Sequence, residues 1–107
     1  MDMGRKIGRY ARELTPEQLA ELIAMQRNAI SLRRPMPLQT RLVREPMYQA
    51  LLRRKIIVRL APRPGFDPRR WAGLKITDLG QHVMLARIEN ELLAAGAIPQ
   101  PAEVEPD

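Results

Sequence analysis

The side chains in this chain best suited to chemistry are its arginines. They supply 15 of the 18 basic residues, and they cluster. Between Arg33 and Lys75 there are twelve basic residues, among them Arg41, Arg44, Arg53, Arg54, Arg59, Arg63, Arg69 and Arg70, against only Glu45 and Asp67. A guanidinium presents a rigid planar fork that grips phosphate through two parallel hydrogen bonds, which an ammonium cannot do. Residues 1–32 are close to balance, whereas residues 76–107 carry Arg87 against six acids. A strongly positive middle beside an acidic C-terminal third is the footprint of a surface that meets a polyanion. The bland alternative is a solvated face that keeps the protein in solution. Clustering favours the first reading.

Other chemistries lack their residues. There is no Cys, hence no disulfide, no thiolate nucleophile and no Cys-based zinc site. One histidine, His82, has no acid, Cys or His cluster around it in the sequence and reads as a surface or packing residue. The six methionines read as terminal residues or core fillers. No Gly-rich phosphate loop and no Ser-His-acid set is present, so an enzyme is the weakest class, with no cofactor and no metal expected. No apolar run approaches the length of a membrane span, and the N-terminus lacks the apolar stretch of a signal peptide. A cytoplasmic protein of bacterial or phage type, with no membrane partner, is the expectation.

The elements that must position the arginines can be read from local signals. At 107 residues and 45% apolar composition, the chain is one small domain with one core. Residues 1–13 form a basic N-terminal arm, either flexible or an extra helical turn. Thr15, Pro16 and Gln18 make a capping box with proline at the first helical position, and Leu14 with Leu19 makes a hydrophobic staple. The helix they open runs to about Leu32, with Leu19, Leu22, Ile23 and Ile30 on its apolar face. Residues 37–44 have the length of two helical turns. Pro46 opens a further helix to about Arg54, with Met47, Ala50 and Leu51 inward. Residues 56–60, IIVRL, are β-branched and read as a strand. Residues 61–73 carry three prolines and two glycines and make a long basic turn, after which LKIT, residues 74–77, is the partner strand. Thr77 caps the last helix, which runs from Asp78 to about Ala95 and stops at Gly96. Leu79, Val83, Ala86 and Leu93 line one side of it, and Leu85, Ile88 and Leu92 widen the apolar arc. The domain spans 14–96, and an acidic, Pro-rich disordered tail spans 97–107.

The run MYQALLRRKIIVRL followed by GLKITDLGQHVMLA resembles the second half of a winged helix-turn-helix domain of the MarR-like kind. There, a helix ends in a leucine-rich turn, and a first wing strand, a basic tip and a second strand follow. A Leu-x-Thr-x-x-Gly signature then opens the next helix. Leu74, Ile76, Thr77 and Gly80 fall where that signature would. Lys55 stands where the family usually has glycine, and the usual second helix and recognition helix are compressed into residues 37–54. The resemblance implies a mainly α fold with a small β-hairpin wing (α+β), a winged-helix-like single domain that binds double-stranded DNA. It also implies roles for individual residues. Arg41, Arg44 and Gln49 would face the major groove, and Arg53 and Arg54 would meet phosphates at the helix end. Arg59, Arg63, Arg69 and Arg70 would be wing contacts.

Arg53 and Arg54 equally suit the helix dipole at a C-terminus. Trp71 either packs over the core or stacks on a sugar or base, Tyr48 faces groove or core, and Phe66 is a candidate partner contact. The resulting expectation is a transcriptional regulator or a mobile-element or architectural DNA-binding factor. The alternative is a winged-helix-shaped protein-interaction module, a scaffold or inhibitor, whose basic face meets an acidic protein partner. The wide apolar arc of the last helix would allow a homodimer through that helix. RNA binding through backbone contacts ranks third, because no RNA-binding signature is present.

Overall fold

A computed structural model describes residues 3–97. It shows an α+β fold in which helices pack on one small antiparallel sheet. The order is α1 (Met3–Glu13), α2 (Pro16–Leu32), β1 (Met36–Gln39), α3 (Thr40–Val43), α4 (Pro46–Arg53), β2 (Ile57–Leu60), β3 (Trp71–Ile76) and α5 (Asp78–Ala94). The sheet order is β1-β3-β2, so the last strand inserts between the two earlier ones. Met36 pairs with Leu74 and Gln39 with Trp71 on one side, and Ile57 pairs with Ile76 on the other. No helix among the described residues is long and apolar enough to cross a membrane. The tail expected to be disordered lies, beyond Ala97, outside the described residues.

The three helix starts read from the sequence form as expected, at Pro16, at Pro46 and after Thr77. Thr15 Oγ1 accepts from Gln18 N, and Gln18 Oε1 accepts from Thr15 N at 2.9 Å. Gln18 Nε2 then donates to Met47 O at 3.3 Å, so a buried amide joins the start of α2 to α4. Thr77 Oγ1 accepts from Gly80 N at 2.9 Å and opens α5. At the far end of α5, Gly96 N and Ala97 N bond back to Leu93 O and Leu92 O, the paired closure of a Schellman motif. The same closure ends α4, where Lys55 N and Ile56 N bond to Leu52 O and Leu51 O. Lys55 therefore takes the left-handed position, at φ 59°, that a glycine would occupy more cheaply.

Three segments differ from the sequence expectation. β3 already starts at Trp71, where its pairing with Gln39 begins, so the turn expected over 61–73 ends three residues sooner. Residues 37–44 are not two helical turns. Their first half is a strand, so the β-hairpin becomes a three-stranded sheet, and only Thr40–Val43 is helical. Pairing with β3, some 35 residues away, decides this, and no local signal carries it. The basic lead is likewise more than an extra turn. α1 spans 11 residues and packs on α5, with Ala11 fully buried and Ile7 and Tyr10 against the core. Arg87 of α5 locks that contact, its Nη1 donating to Ala11 O at 3.2 Å and to Leu14 O.

The core sits between the inner face of the sheet and α2, α4 and α5. Leu22, Met25, Leu51, Ile56, Ile57, Leu74 and Val83 are each at most 2% exposed. Burying each such side chain contributes about 1.5–3 kcal/mol. Ile30, expected on the apolar face of α2, is 70% exposed. At about 100° per residue it lies about 140° around the helix from Met25, and Met25 is the residue that faces inward. On α5, Val83 and Met84 are buried while Leu85 and Leu92 remain exposed.

Candidate functional site

The loop 61–70 between β2 and β3 is built by its prolines and by Asp67. Arg63, Pro64, Gly65 and Phe66 form a turn closed by Phe66 N donating to Arg63 O, with Gly65 at φ 96°. Proline followed by a positive-φ glycine is the type II arrangement. The next turn is held by Asp67. Its carbonyl accepts from Arg70 N and Trp71 N, and its Oδ1 accepts from Arg69 N at 2.9 Å. Inside the loop Phe66 meets Trp71 edge to face, ring centroids 5.1 Å apart, and Arg63 lies over Phe66 at 5.1 Å. Phe66 and Trp71 thus pair with each other and stiffen the loop.

That loop docks on the start of α3. Thr40 N donates to Arg70 O at 2.8 Å, and Thr40 Oγ1 donates to Arg69 O at 3.0 Å. The two bonds bring Arg69 and Arg70 beside Arg41, and a cleft of about 380 Å³ opens between them, lined also by Gln39, Thr40 and Trp71. Arg41 Nε donates to Gln39 Oε1 at 2.8 Å, which fixes that guanidinium at the cleft wall. The Arg69 side chain is 92% exposed, and among the described residues it pairs with Asp67 at 3.6 Å. Arg70 makes no ion pair among the described residues. Trp71 also borders a groove of about 370 Å³ where Arg59 stands with Leu60 and Pro62. Two clefts that share Trp71, one with Arg41, Arg69 and Arg70 and the other with Arg59, give a concave, water-accessible, cationic surface. Its chemistry is anion binding, with up to five N–H donors per guanidinium.

The other sequence candidates stand apart from this cleft. Arg44 and Arg53 are exposed at the ends of α3 and α4. Gln49 Nε2 donates to Val43 O at 2.7 Å, so its amide closes the α3–α4 turn. Arg54 turns to α1, pairing with Glu13 at 3.2 Å and lying over the Tyr10 ring at 5.6 Å. Tyr48 is core, 6% exposed, and its hydroxyl donates to Glu21 Oε2 at 2.9 Å. Burial first, and then that bond, push its ionisation well above the ordinary range of a tyrosine. His82 is exposed. No group of three or more His, Cys, Asp or Glu that could hold a metal ion occurs among the described residues.

Sequence reasoning did not single out Gln39 and Thr40, which shape the cleft, or a second cleft of about 260 Å³ where Arg33, Arg34 and Lys75 rim Met25 and Leu74. No local signal marks Thr40, because the strand before it forms only by pairing with β3 and its hydroxyl partner lies 29 residues on. Comparison with protein-family models, curated proteins and solved structures finds no match to this chain.

Proposed function

We propose that this chain is a small winged-helix DNA-binding protein that grips the duplex backbone through its loop-base arginines and acts as a transcriptional regulator or an architectural factor. The observation that carries the reading is the docking of a basic, proline-stiffened loop onto the start of α3, which gathers Arg41, Arg69 and Arg70 around one cleft. The surrounding order supports it. α2, β1, α3, α4, β2 and β3, with sheet order β1-β3-β2, follow the helix-strand-helix-helix-strand-strand plan of a winged helix. In that plan α4 approaches the major groove and the loop 61–70 is the wing.

The test is fluorescence anisotropy with a random duplex over a series of salt concentrations, with the wild type beside Arg69→Glu/Arg70→Glu. The wild type should lose log affinity linearly with log salt, at about 0.9 per phosphate neutralised. The double variant should bind at least tenfold more weakly while melting at the same temperature. Equal affinity for the two proteins removes the wing from the interface.

A second reading has its own observation. Leu85 and Leu92, seven residues apart on α5, are 58% and 41% exposed. They form a stripe that would pair with a second copy or with another protein, as in a scaffold. Sedimentation separates the readings, because a dimer dispersed by Leu92→Lys in protein that binds no duplex favours the scaffold.

A further inference from the structure

A second cluster of positive charge lies away from the cleft, and the wing does not account for it. On α1, Lys6 Nζ and the Arg9 guanidinium lie over the Tyr10 ring at 5.9 and 5.2 Å, and Arg54, from the end of α4, lies over the same ring at 5.6 Å. Three cations thus converge on one aromatic side chain, and the acid paired with any of them is Glu13, bound to Arg54. Arg53 and Lys55, on either side of Arg54 in the chain, are exposed and make no ion pair among the described residues. Cations held this close repel one another. The electron-rich face of Tyr10 offsets part of that repulsion, and an anion would offset the rest. The apolar side of α1 is already used, with Ala11 buried and Ile7 against the core, so this helix offers charge to a partner and has no hydrophobic face to insert.

The position of this cluster relative to the cleft suggests what it meets. Thr40 ties the cleft to Arg69 and Arg70, just before Trp71 opens β3. Thr77, just after β3 closes, donates its hydroxyl to Lys55 O at 2.6 Å. The backbone segments that carry the two clusters therefore adjoin opposite ends of β3, ends that lie about 17 Å apart for five steps of a strand. The chain between Thr40 and Lys55 is α3 and α4, so α4 leads from one cluster to the other. A major groove is about 12 Å wide between its walls. We infer that α1 and the end of α4 form a second backbone contact, in which Lys6, Arg9 and Arg53 meet phosphates across the groove from the wing. The inference rests on the DNA-binding reading and extends it to a helix that the winged-helix plan does not require for binding.

The experiment measures the salt slope of duplex binding for the whole chain in four forms: wild type, Arg69→Gln/Arg70→Gln, Lys6→Gln/Arg9→Gln, and Arg53→Gln. The last substitution reads the α4 end of the region with the Tyr10 cluster whole, and Lys6→Gln alone stands in for the α1 pair where that pair melts early. Each phosphate that a variant no longer neutralises should flatten the slope by about 0.9. Flattening in the α1 variant besides that in the wing variant supports the second contact, and flattening in Arg53→Gln without it overturns the part given to α1. Flattening in the wing variant alone overturns the inference and leaves the wing standing. A wild type that binds no duplex, even at low salt, overturns both, and an acidic protein surface then becomes the partner to test.

Discussion

Replacing Gly80 by alanine should unfold the junction between α4 and α5. A Cβ at this position would lie 2.0 Å from Ile56 O, 2.8 Å from Ile76 Cγ1 and 3.0 Å from Ile56 C. Carbon and oxygen settle at about 3.3 Å or more, so α5 would have to back away from the start of β2 by about 1.3 Å. That junction is held by short polar contacts. Thr77 N donates to Ile56 O at 3.0 Å, Thr77 Oγ1 donates toward Lys55 O at 2.6 Å, and Gly80 N donates to Thr77 Oγ1 at 2.9 Å. Breaking two of them costs about 2 kcal/mol at about 1 each, and forcing a methyl into packed backbone costs about 1–3 kcal/mol. Better helix propensity returns at most about 1 kcal/mol. The net is a loss of about 2–4 kcal/mol, or about 10–30 °C in midpoint for a domain of this size. Thermal unfolding followed by circular dichroism reads it, with Gly8→Ala as the matched control. A Cβ at Gly8 meets only Arg12 Nη1, at an ordinary 3.5 Å, so that variant should gain up to about 1 kcal/mol. A Gly80→Ala protein melting at or above the wild type would refute the close approach of α5 to Ile56, and with it the lock at Thr77.

Two further expectations concern buried polar groups. Arg87→Ala should cost about 2–4 kcal/mol in a urea titration, because it strands the carbonyls of Ala11 and Leu14. Glu91→Ala, which removes only the half-exposed i,i+4 partner, should cost about 0.5 kcal/mol or less; equal losses would mean that the carbonyl bonds contribute nothing. Tyr48 makes stability fall at alkaline pH. Its folded ionisation is raised above the unfolded value of 10.0, so its contribution is whole below about pH 10 and is lost as pH rises through the folded value. In Tyr48→Phe that alkaline fall should shrink, and an unchanged profile between pH 9 and pH 12 would place its origin elsewhere.

What could be read from the sequence was whatever closes within a few residues. Thr15 with Gln18 and Thr77 with Gly80 are caps whose partners lie three positions on, and both form as read. Pro64-Gly65 sets its own turn. Elements that depend on distant partners were harder. α1 carries Ile7, Tyr10 and Ala11 at helical spacing, yet Gly4 and Gly8 weaken it as an isolated helix. It forms against α5, where Arg87 receives it from more than 70 positions away. β1 includes Pro37 and ends at Gln39, with nothing local to mark it as a strand before β3 pairs with it. The candidate site follows the same rule. The arginine cluster was visible as composition, but composition could not say that Thr40 would gather Arg41, Arg69 and Arg70 while Glu13 drew Arg54 aside.

The length of α4 bears on what kind of DNA binding this chain would perform on the proposed reading. Eight residues rise about 12 Å, little more than two turns. Tyr48 and Leu51 of those eight are buried, and the Gln49 amide is spent on Val43 O. With Arg53 assigned to phosphate, the neighbouring Arg44 remains as the exposed long donor for base edges beside this helix. One bidentate arginine to guanine discriminates by about 1–3 kcal/mol, well below the roughly 4–10 kcal/mol that separates specific from non-specific binding in dedicated regulators. The wing cleft and the α1 cluster, by contrast, offer several guanidiniums to a backbone that carries one charge per about 1.7 Å. Affinity built in this way is steep in salt and shallow in sequence. Within the proposed function, that balance favours an architectural factor over a regulator of a single site.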